Sequence, residues 1–157
     1  MTTVTVAKRI DAPVERVFEL FTDIEHGPER VSGLKKIEVM TSGGFRLGTR
    51  WQETREVMGC HVTEEMEVTA FERNCTYTIT NDNRGTRIDT EFRFAPTHRS
   101  TTVSVEFTMD PQSFPAKLLS PIGWALAGKI REAIARDLDD LKRAAESHEW
   151  HAALRSL

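Results

Sequence analysis

From Leu34 to Met109 apolar and polar residues alternate with a period of two, the signature of strands with one buried and one wet face. The alternation predicts strands at 36–41, 49–58, 61–71, 75–80, 86–95 and 101–109. Between them stand turn-forming clusters, "SGG", "GC", "ERN", "NDNRG" and "PTHRS". Connections this short make consecutive strands antiparallel neighbours. A further strand precedes them in the β-branched run "TTVTVAKRI".

Outside the strands the period lengthens. Asp11 as N-cap and Pro13 at the first turn predict a helix over "PVERVFELFTD", with Val14, Val17, Phe18 and Phe21 on one stripe. Gly27–Pro28 and Gly33 mark a second short helix broken from the first. After "DPQSFPAK", Ser120 and Pro121 open a helix predicted to run to about Ser147. Ile122, Leu126, Ile130, Ile134, Leu138, Leu141 and Ala145 recur at spacings of four and three, and such a helix is ~40 Å long. Only a sheet curved around it is long enough to bury that stripe.

Register decides which charges on the central hairpin, "GTRWQETREVMGCHVTEEMEVTAF", face the core. With Gly59–Cys60 as the turn, Arg55 opposes Glu64, Glu53 opposes Met66 and Trp51 opposes Val68. The inward face then carries Thr49, Trp51, Glu53, Arg55, Val57, Val62, Glu64, Met66, Val68 and Ala70, and the outward face is almost wholly polar. Inward positions elsewhere (Tyr77 and Ile79; Ile88, Thr90, Phe92 and Phe94; Val103, Val105, Phe107 and Met109) carry no charge. Glu53, Arg55 and Glu64 are therefore the anomaly. A cross-strand Arg55–Glu64 pair offsets part of the cost of burial and leaves one acid in excess, whose pKa desolvation raises. The competing reading is that the hairpin tip projects into water and the charges are ordinary solvated ones.

Composition narrows the function classes. The chain has 157 residues, 39% hydrophobic and 29% charged, which fits one domain, 1–157, with about 148–157 a loosely ordered tail. A formal net charge of -3 offers no basic field for nucleic acid. No apolar run reaches the ~20 residues of a membrane span, and "MTTVTVAKRIDAP" has no secretory h-region, so a cytoplasmic location is expected. Cys60 and Cys75 are expected as free thiols. His148 and His151 are spaced i,i+3 without a third ligand, and His26, His61 and His98 have no nucleophile arranged around them. No metal and no cofactor is expected, and the oligomeric state is left open.

The order of one strand, two short helices, six strands and a long helix, with "IDAPVERVFELFTD", "LGTRWQETREVMG" and "DLDDLKRAAE" at their places in it, resembles the START-like helix-grip superfamily. The likeness is nearest to its polyketide cyclase/dehydrase-like (SRPBCC) branch. The resemblance implies an α+β helix-grip fold, a curved seven-stranded antiparallel sheet wrapped around the C-terminal helix. It also implies an apolar cavity between sheet and helix. Its lining would be Trp51, Met66, Val68, Tyr77, Ile79, Thr90, Phe92, Val105 and Phe107 from the sheet and Ile122, Leu126 and Ile130 from the helix. Three functions follow as expectations. The first is binding or transport of a small apolar ligand such as a lipid, polyketide, quinone or steroid-like molecule. The second is a cyclase/dehydrase-type enzyme, with Arg55 steadying enolate charge and Glu53 or Glu64 as acid or base. The third is a non-catalytic co-chaperone-like or toxin-like module, which requires an exposed apolar patch.

Overall fold

The computed structural model describes residues 1–113 and 125–147. Strand β1 (Thr2–Ile10) leads into helix α1 (Val14–Thr22), a 3-10 turn (Ile24–His26) and the single-turn helix α2 (Gly27–Arg30). Six strands follow: β2 (Leu34–Val39), β3 (Arg50–Val57), β4 (Cys60–Glu72), β5 (Thr76–Asn83), β6 (Thr86–Thr97) and β7 (Ser100–Pro111). Helix α3 (Ala127–Ala145) is the last described element, ~28 Å long at 1.5 Å per residue. The strands form one antiparallel sheet in the order β1-β7-β6-β5-β4-β3-β2. The α+β helix-grip architecture that the resemblance implies is the one observed. Ser120, Pro121, Ile122 and the tail 148–157 lie outside the described residues.

The start of α1 differs from expectation. Pro13, in extended backbone, takes the cap position, and no side chain caps the helix. Its carbonyl accepts from the N–H groups of Arg16 and Val17, so the helix begins two residues later than an Asp11 cap would set it. The Asp11 N–H instead donates to Glu146 Oε1 at 2.7 Å, joining the start of α1 to the end of α3.

One end of the space between sheet and helix is closed by packing. Phe18 from α1 meets Phe71, Tyr77 and Phe94 edge-on, with centroids 5.8, 5.9 and 5.1 Å away. Val17, Phe21, Val103, Val105 and Leu138, each less than a tenth exposed, complete the core. The free edge of β1 is covered by α3. Arg131 Nη1 donates to the Thr5 carbonyl at 2.9 Å and Lys142 Nζ to the Arg9 carbonyl at 2.8 Å, while Lys8 pairs with Asp139 at 2.6 Å. Those contacts satisfy acceptors that an open edge leaves bare.

The β3–β4 hairpin turns on Met58–Gly59, not on Gly59–Cys60. Both residues have positive φ, +52° and +80°, as a type I′ turn requires, and Val57 pairs with Cys60. The right-handed twist of the strands selects this turn over one that respects the ordinary preferences of methionine. Arg55 therefore opposes Val62, Glu53 opposes Glu64 and Trp51 opposes Met66. The predicted Arg55–Glu64 and Trp51–Val68 oppositions do not form, although the assignment of faces survives because each partner moved by two. Farther along β4 the register shifts between Val68 and Ala70, and Thr69 is the extra residue. Beyond this bulge Ala70 is exposed, opposite Thr78, and Phe71 takes the inward place opposite Tyr77. Ala70 is thus an outward residue, contrary to strict alternation.

Candidate functional site

Three of the inward polar side chains come together with one from the helix. Arg55 donates from Nη1 to Asp137 Oδ2 of α3 at 2.7 Å and from Nε to Glu53 Oε2 at 3.3 Å. Glu53 sits directly across from Glu64 on the neighbouring strand, an arrangement of like charges that is unfavourable unless each is held separately. Each is. Glu53 has Arg55, and Glu64 accepts from Asn81 Nδ2 at 2.8 Å through Oε2 and from Asn83 Nδ2 at 2.9 Å through Oε1. The side chains of Arg55, Glu53 and Asp137 are 30%, 14% and 26% exposed, so the cluster is neither sealed nor a solvated hairpin tip.

The electrostatics follow from that placement. Burial alone lowers the Arg55 pKa, but Asp137 and then Glu53 outweigh it, and the guanidinium is held above its ordinary value. Burial pushes the Asp137 carboxyl up, and Arg55 pulls back only part of the way. The Glu64 carboxyl is raised by burial and by Glu53 across the strand, against a smaller opposing effect of Arg55. Arg55 is thus engaged by carboxylates through both Nε and Nη1, whereas Glu64 meets only neutral amide donors. A second tether fixes the helix nearby. Asp140 Oδ2 accepts from both the N–H and the hydroxyl of Ser32 at 3.0 Å, locking the α2–β2 loop to α3.

Sequence reasoning missed Asp137, Asn81 and Asn83. "NDNRG" reads as a turn, but β5 runs on to Asn83, which makes Asn81 and Asn83 the next inward positions after Tyr77 and Ile79. Continuing that alternation past Thr80 finds them. Asp137, three residues after Ile134 and four before Leu141, falls on the same helix face as the apolar stripe, so a polar residue at a core spacing is the signal that could have found it.

The remaining expected lining residues divide in two. Trp51, Val68, Tyr77 and Val105 are almost wholly buried, with Tyr77 stacked on Phe92 at 4.7 Å and its phenol pKa pushed up by burial. Met66, Ile79, Thr90, Phe92, Phe107 and Ile130 are half-buried, and Leu126 is 36% exposed. The indole Nε1 of Trp51 is buried without a hydrogen-bond partner. Among the described residues no group of His, Cys, Asp and Glu could hold a metal ion, and no helix is long and apolar enough to cross a membrane. Cys60 and Cys75 are both free and exposed.

Comparison with known proteins agrees with this architecture. The model of the family described as polyketide cyclase / dehydrase and lipid transport matches residues 1–146. A search of curated proteins by similarity finds no relative. Among solved structures, a protein from Thermus thermophilus is similar with a TM-score of 0.73 and 23% identity, over 93% of this chain and 100% of that one. A START superfamily protein from Mycobacterium smegmatis has a TM-score of 0.73 and 17% identity, over 92% and 97%. The Zhui aromatase/cyclase from a Streptomyces species has a TM-score of 0.72 and 15% identity, over 92% and 93%. At such identities the likeness is one of fold. The chain belongs to the polyketide cyclase/dehydrase and lipid-transport family, the SRPBCC branch of the START-like superfamily.

Proposed function

We propose that the protein binds a small hydrophobic molecule between the inner face of its sheet and α3. The observation that carries this reading is a row of inward apolar side chains left outside the closed core. Met66, Phe107 and Met109 on the sheet and Ile130 on the helix stay half-buried, although they point to the same side as the packed residues. Complete burial of such a side chain is worth ~1.5–3 kcal/mol. A chain that leaves several of them incompletely covered in its interior gives up stability that an apolar ligand restores. The family's description, which includes lipid transport, supports the same reading. Native mass spectrometry of the purified protein and displacement of a fluorescent lipid test it. A co-purifying apolar molecule, or displacement by members of a lipid and polyketide panel, is expected. Failure of both assays removes the proposal.

A cyclase/dehydrase-type activity is the second reading, and Glu64 is the observation that favours it. Its raised pKa and its two amide donors suit an oriented proton donor or acceptor. Arg55 suits it less, because the guanidinium already faces Asp137 and Glu53. If Glu64 is catalytic, Glu64→Gln abolishes turnover of a carbonyl-rich polyketide while leaving its affinity within severalfold. Turnover that survives the substitution removes Glu64 from the chemistry. The interaction-module reading has less support. The exposed apolar side chains Val57, Met58 and Val62 make only a small group at the hairpin tip.

A further inference from the structure

The polar end of the inner face has a composition that selects among ligand head groups, and this inference rests on the binding reading above. Glu53, Glu64 and Asp137 surround a single cation, Arg55, whose Nε and Nη1 are both engaged by carboxylates. The set therefore carries an excess of negative charge and keeps no unshared cation for an anion. An entering carboxylate or phosphate meets repulsion that screening by solvent reduces only partly in a half-buried site. Glu64 remains the most available acceptor. Its oxygens each take one amide proton from Asn81 and Asn83, and a carboxylate oxygen has a second lone pair to offer.

A second, independent observation concerns a donor. Trp51 occupies the inward position next to Glu53 on β3, directly across from Met66 and diagonal to Glu64. Diagonal positions on antiparallel strands lie ~7–8 Å apart, within reach of aromatic and long side chains. The Trp51 ring is only 1% exposed, yet its Nε1–H has no acceptor. A buried N–H without a partner is costly, and native structures rarely leave one so. A carboxylate acceptor and a buried donor at diagonal positions of the inner face suit one group that donates and accepts together. Among simple head groups a hydroxyl does this. An ammonium cannot accept, and a carboxylate cannot donate.

We propose that the ligand is a neutral apolar molecule bearing a hydroxyl, an alcohol or a phenol, whose oxygen takes the Trp51 indole proton and whose proton goes to Glu64. The site discriminates against carboxylates of the same shape. Reaching Nε1 requires the ligand to displace the packing that seals the indole edge, so binding changes the environment of that one proton.

Isothermal titration of the intact protein at pH 7.5 with 1-decanol, decanoate and decylammonium tests the proposal, the alcohol kept below its solubility limit and the two ions below their micelle concentrations. The alcohol binds at least tenfold tighter than the carboxylate, and Glu64→Gln narrows that ratio severalfold. In 15N-correlated NMR spectra the Trp51 indole N–H signal, assigned with Trp51→Phe, moves downfield with the alcohol by more than the other tryptophan signals. Equal affinity for all three probes overturns the head-group proposal and leaves the binding reading standing. Tighter binding of decylammonium overturns it in favour of charge alone, and tighter binding of decanoate overturns it outright. Absence of binding by all three overturns the head-group proposal, and the binding reading then stands or falls by mass spectrometry and lipid displacement. The wild-type series is decisive even if a substituted protein fails to fold.

Discussion

Arg55 holds Glu53 on its own strand and Asp137 on the helix, so removing it strands two part-buried carboxylates at once. Breaking a buried pair by removing one partner costs ~3–5 kcal/mol, and the partial exposure here reduces that to about 2–3 kcal/mol for Arg55→Ala. Urea denaturation at pH 7 measures it, and a loss below about 0.5 kcal/mol shows the triplet to be dispensable. The penalty is expected to shrink as pH falls, because burial pushes the Asp137 carboxyl up and the variant removes the Arg55 counter-charge that pulls it back. Asp140 has the opposite sign. Burial raises its pKa, but the two Ser32 donors and then Arg143 outweigh burial and hold it below the usual carboxylate value. A depressed folded-state pKa gives stability that is present above the unfolded value of about 3.9 and is lost as pH falls through the folded value. Asp140→Asn is expected to cost about 1–2 kcal/mol at pH 7, and to lose less additional stability than wild type between pH 4 and pH 2.5. Parallel acid dependences in the two proteins remove Asp140 from the acid response.

At the scale of elements the hairpin turn is a local compromise. Met58 adopts φ +52°, a region where a side chain other than Gly, Asn or Asp is strained. Met58→Asn is expected to raise stability by about 0.5–1 kcal/mol, read as a higher melting temperature with an unchanged denaturant slope. A lower melting temperature would mean that Met58 makes a contact worth more than its strain. The same residue explains what was illegible in the sequence. Faces could be read because a period of two survives any shift of register by two residues, so Glu53, Arg55 and Glu64 were rightly placed inward. Opposition could not, because "VMGC" offers two possible turns and the winning one puts methionine where its backbone preference is poor. The bulge at Thr69 has no sequence mark either, which is why Ala70 and Phe71 exchanged roles. Asp137 was hidden for another reason. It shares the helix face of Ile130, Ile134 and Leu141, but periodicity counts the apolar positions and does not say which polar residue among them meets a strand.

For the molecule as a whole, a tightly packed half stands beside a loosely covered one. Phe18, Phe94, Tyr77 and Leu138 close the end near the C-terminus of α3, while Met66, Phe107, Met109 and Ile130 mark the other. If a ligand fills the second half, its binding adds to folding stability by mass action. A compound at a hundred times its dissociation constant raises the unfolding free energy by about 2.7 kcal/mol. Thermal melts across a ligand dilution series check this, and a melting temperature independent of ligand concentration contradicts it. Legibility at this scale was highest. The order of elements and their periods were enough for the fold, whereas identification of a ligand needs side-chain geometry that no linear pattern carries.

The pairing of β1 with β7 has a kinetic consequence. These strands are neighbours in the sheet, yet contacts such as Thr3 with Thr108 join residues 105 positions apart. Closing so long a loop is entropically costly before any contact rewards it. During synthesis β1, made before the other six strands of this sheet, has no partner in it until β7 emerges, by which time the meander from β2 to β6 can already have paired. Its alternating "TTVTVAKRI" is exposed throughout that interval. The slowest folding step is therefore expected to be the docking of the first strand, and a nascent chain halted before β7 is the form most prone to self-association.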